Sequence, residues 1–120
     1  MKTLLLTFTI SIFSFLTSFG QLQVKEAKLG KGVESRVLTE ESSTFSLNSK
    51  VYLWMKFSGG TGNVTITWKN GTHTHSNNLN VEGDPWRTWA FATAYYSGEW
   101  NVSVTDDKGT SLKELNFTVQ

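Results

Sequence analysis

The feature that most constrains this chain is an alternating segment that leads into an Asn-Gly pair. Residues 63–69 alternate between polar and apolar side chains, with Val64, Ile66 and Trp68 on the apolar side. Successive side chains of a β-strand point to opposite faces, so this pattern predicts a strand with one buried and one wet face. Asn70-Gly71 follows directly and is the strongest two-residue hairpin signal, because both central positions of that turn need positive φ. The sequence therefore predicts an antiparallel hairpin here.

Other segments with strand character recur along the rest of the chain, separated by turn residues. Residues 33–49 are mostly polar, and we expect them to form a surface connection. The returning strand at 72–81 is also mostly polar, which is typical of a sheet edge. The predicted strands lie at 21–32, 50–57, 63–69, 72–81, 86–92, 99–105 and 110–120. With no helical periodicity, they predict an all-β fold, an antiparallel immunoglobulin-like β-sandwich of about seven strands.

The first twenty residues have the pattern of a secretory signal peptide. A positive start at Met1-Lys2 precedes an apolar run, and Ser18-Phe19-Gly20 ends it with small residues, which predicts cleavage after Gly20. The alternative is a retained membrane anchor, because the run approaches the length of a membrane span. No later stretch is long and apolar enough to cross a bilayer. We therefore expect a single domain at 21–120, located in the periplasm or outside the cell.

Net charge and cysteine content restrict the classes of binding partner and the means by which the domain is stabilised. The chain carries 11 Lys and Arg against 10 Asp and Glu, and removal of Lys2 with the signal peptide leaves ten of each. A domain with no net charge lacks the excess of basic residues that is typical of proteins that bind nucleic acid. The chain has no Cys, so a secreted domain of this size must depend on its hydrophobic core rather than on disulfides.

The order of motifs resembles a known family. The motifs are Val51-Tyr52-Leu53-Trp54, Thr65-Ile66-Thr67-Trp68-Lys69-Asn70-Gly71, Gly83-Asp84-Pro85-Trp86-Arg87-Thr88-Trp89, Ser97-Gly98-Glu99-Trp100-Asn101-Val102, Asp106-Asp107-Lys108-Gly109 and Asn116-Phe117-Thr118-Val119. Together they resemble the bacterial family called domain of unknown function 2914, over nearly all of residues 21–120. The resemblance implies an envelope-associated β domain and no particular activity.

The candidate ligand-binding residues are aromatic side chains left over once the core is assigned. If Trp89 and Phe91 face inward, alternation places Trp86 outward, beside Arg87. The better apolar stripe of strand 50–57 contains Val51, Leu53, Met55 and Phe57, which leaves Tyr52 and Trp54 outward. Exposed aromatic rings are common at binding hot spots, and an Arg supplies directed donors to a carboxylate or hydroxyl. The predicted ligand-binding residues are Trp86, Arg87, Trp54 and Tyr52.

A structural role for the same residues is the alternative. The N-terminal segment or the connection at 39–49 could cover these rings as a small second core. Arg87 would then pair with Asp84 or Glu99. On this interpretation the aromatic side chains contribute to stability and bind no ligand.

Few residues point to catalysis or metal binding. His73 and His75 share one strand face, as two ligands of one metal ion would. A metal site needs a third ligand, however, and the alternative is that both histidines are simply exposed to solvent. No Ser lies in a nucleophile-elbow pattern. We therefore expect no enzyme activity, no metal and no cofactor.

Two functions remain as hypotheses. One is a secreted, non-catalytic module that binds a glycan or another envelope polymer through an aromatic and Arg surface. The other is a structural or protein-interaction domain whose edge strand at 72–81 pairs with a partner by strand addition. Both place Trp68 and Trp100 in the core, because each continues an apolar stripe of its strand.

Overall fold

A computed structural model describes residues 21–120, so the predicted signal peptide at 1–20 lies outside the described residues. The described part of the chain contains nine strands. In chain order they are β1 (Gln23–Glu34), β2 (Val37–Glu41), β3 (Thr44–Phe45), β4 (Lys50–Ser58), β5 (Gly62–Asn70), β6 (His73–Val81), β7 (Trp86–Thr93), β8 (Gly98–Asp106) and β9 (Ser111–Val119). Within residues 21–120 there is no helix long and apolar enough to cross a membrane.

The strands form two sheets that pack face to face. Sheet A has the order β2-β1-β4-β7, and sheet B has the order β3-β9-β8-β5-β6. All pairs are antiparallel except β3 with β9, which is parallel. Strands β1, β4 and β7 correspond to strands A, B and E of an immunoglobulin fold, and β5, β8 and β9 correspond to C, F and G. The predicted immunoglobulin-like β-sandwich is confirmed.

The strand count is nine rather than seven because residues 33–49 are not only a surface connection. They contain β2 and β3, and β1 continues through Gly30-Lys31-Gly32, where we expected it to end. A Cβ on Gly30 would lie 2.8 Å from both Leu38 Cδ1 and the Thr39 carbonyl oxygen. Gly30 therefore allows β2 to approach β1 closely and does not mark a turn.

The hairpin of β5 and β6 forms as predicted, but its turn is shifted by one residue. Asn70 pairs with His73, which leaves Gly71 and Thr72 as the two turn residues. Gly71 has φ 58°, and glycine at the first central position is what a type II′ turn requires. β6 lies at the edge of sheet B, as its polar sequence predicted.

The space between the sheets is filled by the predicted apolar stripes. Trp68 is fully buried, and Trp100 is 6% exposed, so both predictions of core tryptophans are confirmed. Phe117 contacts both of these rings, edge-on to Trp68 and stacked on Trp100. Stripes from β4, β5 and β8 complete the core with residues that include Val51, Leu53, Met55, Phe57, Val64, Ile66, Val102 and Val104.

Candidate functional site

The pairing of β7 with β4 places Trp86 on the inner face of sheet A. Directly paired residues of antiparallel strands point to the same face. Trp86 pairs with Phe57, which is fully buried, whereas Phe91 pairs with Tyr52 on the outer face. Trp86 packs against the core, and Phe91 is 43% exposed. The prediction that Trp86 faces outward, with Trp89 and Phe91 inward, is therefore wrong.

The reason for this inversion is the space available inside the sandwich. The inner positions of β7 beyond Trp86 are Thr88, Ala90 and Ala92, which pair with the larger inner residues of β4. Interiors are packed to near-crystalline density, and the rings of Trp68 and Trp100 already fill the region between the sheets. Small side chains fit there, and the larger rings of β7 are placed on the outer face.

Trp54 points outward as predicted but is covered. Its ring is 9% exposed, and its indole N–H donates a hydrogen bond of 3.0 Å to the Arg36 carbonyl. Arg36 lies in the turn between β1 and β2, and its guanidinium stands 6.0 Å from the centroid of the Trp89 ring. The N-terminal hairpin thus covers part of the outer face, as the structural alternative expected. The ring of Trp54 is not a free binding platform.

Tyr52 points outward as predicted and is half-buried. Arg87 also points outward and is exposed, although the alternation that placed Trp89 and Phe91 inward would have placed Arg87 inward with them. The expected partners of Arg87 bind elsewhere: Asp84 accepts a hydrogen bond from the Gly59 N–H, and Glu99 accepts one from the Thr118 hydroxyl. Within residues 21–120, Arg87 has no carboxylate within 4.0 Å. Of the four predicted ligand-binding residues, these two lie on an accessible surface.

A further concave site was not predicted from the sequence. It is a half-open groove of about 450 Å³ where the edge strands β6 and β7 of the two sheets face each other. Its lining is predominantly aromatic: His73, Thr74, His75, Phe91, Ala92, Thr93, Tyr95, Tyr96 and Trp100. Tyr95 is 66% exposed and Tyr96 is 43% exposed.

Contacts between the β7–β8 loop and the β5–β6 hairpin fix the position of the loop beside the groove. The rings of His73 and Tyr96 stack with centroids 3.7 Å apart. The Asn70 side-chain amide donates to the carbonyls of Ser97 and Glu99. Asn70 therefore positions the loop instead of forming the hairpin turn. On the other side of the loop, the Trp100 indole N–H donates to the Tyr96 carbonyl.

The accessible rings form one surface, which we call the aromatic surface: Tyr52, His73, Phe91, Tyr95 and Tyr96. Phe91 joins its two parts, because it lines the groove and its ring lies 5.5 Å from that of Tyr52. Rings of this kind stack on the apolar faces of flat ligands, and tyrosine hydroxyls add hydrogen bonds. The sequence signal for this surface was the adjacent pair Tyr95-Tyr96 in a predicted turn. Large aromatic side chains in a surface turn are not expected to pack into the core.

The two histidines line the groove. His73 stacks on Tyr96, and His75 lies 3.4 Å from the Asn77 amide nitrogen. Across residues 21–120, no group of three His, Cys, Asp or Glu side chains is placed to hold a metal ion. The arrangement provides stacking rings and polar groups for binding.

Residues 62–119 match the family model described as a protein of unknown function, DUF2914. The match contains the Trp-Arg-Thr-Trp and Gly-Glu-Trp motifs that carried the resemblance. It is shorter than the resemblance suggested, because β1 to β4, with the Val51-Tyr52-Leu53-Trp54 motif, lie outside it. No curated protein matches the sequence.

Proposed function

Since residues 62–119 of the chain belong to the DUF2914 family, whose description states no activity, we propose a function from the surface itself. The domain is a non-catalytic binding module that takes a glycan of the cell envelope across the aromatic surface. The groove supplies the central subsite, and Tyr52 extends the surface along the outer face of sheet A.

The observation that carries this proposal is the exposure of three large rings around one groove. Phe91, Tyr95 and Tyr96 are 43%, 66% and 43% exposed, in a domain whose other aromatic side chains are mostly buried or half-buried. Exposed apolar rings that cluster beside a concave site mark binding sites for ligands or partners. A sugar ring has an apolar face of C–H groups and a rim of hydroxyls, which suits stacking aromatics flanked by His73 and Thr74.

Alanine substitution at Tyr95 and Tyr96 tests the proposal. The ligands are soluble peptidoglycan fragments and neutral oligosaccharides, and isothermal titration calorimetry measures the binding. We expect each substitution to weaken binding by about tenfold or more, because truncation of a central aromatic contact costs ~1–2 kcal/mol or more. Tyr95 is the cleaner site, since most of its side chain is exposed and its loss should leave the free energy of unfolding nearly unchanged.

Leu47→Ala is the matched control, because Leu47 is also an exposed apolar residue, at 45%, and lies outside the groove lining. This variant should bind as the unmodified domain does. Equal binding by the Tyr95 and Leu47 variants would contradict the proposed site. Failure of every tested glycan to bind the unmodified domain would contradict the proposed function.

A second candidate function is strand addition by a protein partner. β6 is an edge strand of nine residues, and its outward-facing side chains are polar and exposed. Such an edge offers a row of backbone donors and acceptors to an added strand. A partner that pairs with β6 would protect the amide protons of alternate β6 residues from hydrogen exchange, whereas a glycan held on the aromatic surface would leave this pattern absent.

We also propose that the domain acts in the periplasm or outside the cell after removal of residues 1–20. The support is the signal-peptide pattern of the sequence. Intact mass spectrometry of the secreted protein should give a chain that begins at Gln21, with or without cyclisation of that glutamine. Recovery of the full-length chain from the membrane fraction would contradict this proposal.

A further inference from the structure

The outer face of β4 and β7 concentrates positive charge although the predicted mature domain is neutral. The register places nine side chains on this face: Lys50, Tyr52, Trp54, Lys56 and Ser58 from β4, and Arg87, Trp89, Phe91 and Thr93 from β7. Three are cations, four are aromatic and none is acidic. Lys56 and Arg87 are direct cross-strand partners, so two like charges lie side by side.

Among residues 21–120, none of these three cations has a carboxylate within 4.0 Å. Glu26 of β1 lies opposite Lys56 on the same face of sheet A, but its carboxylate pairs with Lys28. The ion pair of Lys28 with Glu26, on β1, is the one pair within 4.0 Å among residues 21–120. The Lys50 ammonium lies 4.9 Å from the centroid of the Phe91 ring, and the Arg36 guanidinium stands over Trp89. Like charges on one strand pair are destabilising unless an anion neutralises them. A ligand with negative charge would supply that anion.

The outer face of sheet B has a different character. Its side chains are mainly hydroxyls and amides, such as Thr65, Asn78 and Asn101, which hydrogen-bond to one another or to neighbours. Its charged residues are of both signs, with the acids Glu99 and Glu114 and the cation Lys69. The positive charge is therefore a property of one face and not of the whole domain.

We propose that the outer face of β4 and β7 binds the acidic groups of an anionic glycan, with Lys50, Lys56 and Arg87 as the charge contacts. This inference rests on the proposed function and specifies its substrate class. Lys50 and Lys56 are six residues apart, or about 20 Å along the strand. A polymer chain that passes Tyr52 and Phe91 can therefore contact all three cations. Its acidic groups would pair with the cations, and its sugar rings would stack on the accessible aromatic side chains.

Single-stranded nucleic acid fits this face less well. Its binding proteins present successive exposed rings on which bases stack. Here the central rings are not free, because Trp54 is buried beneath the β1–β2 turn and Trp89 is half-buried beside Arg36. The accessible rings lie only at the end of this face next to the groove. The region between Tyr52 and Arg87 therefore offers charged groups but no accessible ring on which a base could stack.

Two pairs of polymers that share a backbone test the charge preference. Dextran is compared with dextran sulfate, and hydroxyethyl cellulose with carboxymethyl cellulose, so that sulfate and carboxylate are tested separately. The variant K50Q/K56Q/R87Q removes the proposed contacts. The control K69Q/K108Q/K113Q makes the same change in net charge with exposed residues outside this face. Affinity electrophoresis or calorimetry measures the binding.

We expect the unmodified domain to prefer at least one charged polymer over its neutral counterpart, and added salt to reduce that preference. Loss of each cation should weaken binding of the charged polymer by about threefold, and the triple variant by roughly 30-fold if the sites are independent. The control variant should retain most of the affinity. Arg87→Lys should also weaken binding, because an ammonium does not reproduce the planar guanidinium.

The outcomes separate this inference from the proposed function. Equal binding of charged and neutral polymers, with loss on Tyr95→Ala, would overturn the charge inference and leave the glycan function standing. Equal losses in the two triple variants would show a net-charge effect and overturn the assignment to this face. Tighter binding of a single-stranded oligonucleotide than of either charged polymer would overturn the glycan as the ligand class.

Discussion

Replacing Trp68 with alanine is expected to lower the free energy of unfolding by about 3–5 kcal/mol, the largest effect of any substitution proposed for this domain. Trp68 is fully buried between the sheets and lies edge-on to Phe117. Its indole N–H donates a 2.7 Å hydrogen bond to the Asn77 side chain. The alanine variant would leave a cavity and also an unsatisfied, partly buried amide oxygen.

Urea titration followed by circular dichroism measures this loss, with the midpoint and slope fitted separately. Lys69→Ala is the matched control, because Lys69 is the next residue of β5, is exposed and should change stability by less than about 0.5 kcal/mol. A domain of ordinary stability has about 5–15 kcal/mol in total, so the alanine variant is at risk of not folding. Trp68→Phe keeps most of the ring and should give an intermediate loss. A loss below about 1 kcal/mol for Trp68→Ala would contradict the assigned core.

Replacing Trp86 with alanine is expected to cost about 2–3 kcal/mol of stability and to leave ligand binding by the folded protein unchanged. Trp86 packs against the core from the start of β7, opposite Phe57. A Cβ on Gly83 would lie 3.0 Å from Cε3 of Trp86, so the ring fits closely under the preceding loop. Its partial exposure makes the expected loss smaller than that at Trp68.

Arg87→Ala is the control for the stability of Trp86→Ala, since Arg87 is adjacent in sequence, lies on the opposite face and is exposed. It should cost less than about 0.5 kcal/mol. Because Arg87 is a proposed charge contact, Arg87→Ala should lose binding of an anionic glycan where Trp86→Ala does not. Urea titration gives the stability of both variants, and calorimetry at a temperature where both are folded gives their binding. If Trp86→Ala abolished binding at a stability cost of only about 1 kcal/mol, Trp86 would belong to the ligand site and its assignment to the core would be wrong.

The strands and faces that the sequence predicted correctly are those with clean alternation. In β5, Val64, Ile66 and Trp68 are all buried, because a polar residue at every second position leaves one possible inner face. β7 lacks this constraint. The sequence Trp86-Arg87-Thr88-Trp89-Ala90-Phe91 has large rings on both faces, so hydrophobicity alone could not choose between them. Pairing with β4 and the limited room between the sheets decide the choice.

The candidate site was predicted in part for the same reason. The outward position of Tyr52 follows from the alternation of β4. Arg87 is accessible because the two faces of β7 are the reverse of those we expected. The coverage of Trp54 depends on Arg36, which is 18 residues away in sequence and carries no local signal for that contact. The groove depends on two separate segments, residues 73–75 and residues 91–100, which meet because β6 and β7 are the edges of facing sheets. Contacts of this kind follow from topology and are not visible in strand periodicity.

A chemical-shift map by NMR tests most directly whether the domain binds a glycan across the aromatic surface. The isotope-labelled domain, residues 21–120, is titrated with a glycan fragment that binds by calorimetry. The largest shifts are expected at Phe91, Tyr95, Tyr96 and His73, with further shifts at Tyr52, and for an anionic fragment at Lys50, Lys56 and Arg87. Shifts confined to the outer face of sheet B, around Thr65 and Asn101, with none in the groove, would contradict the proposed binding surface.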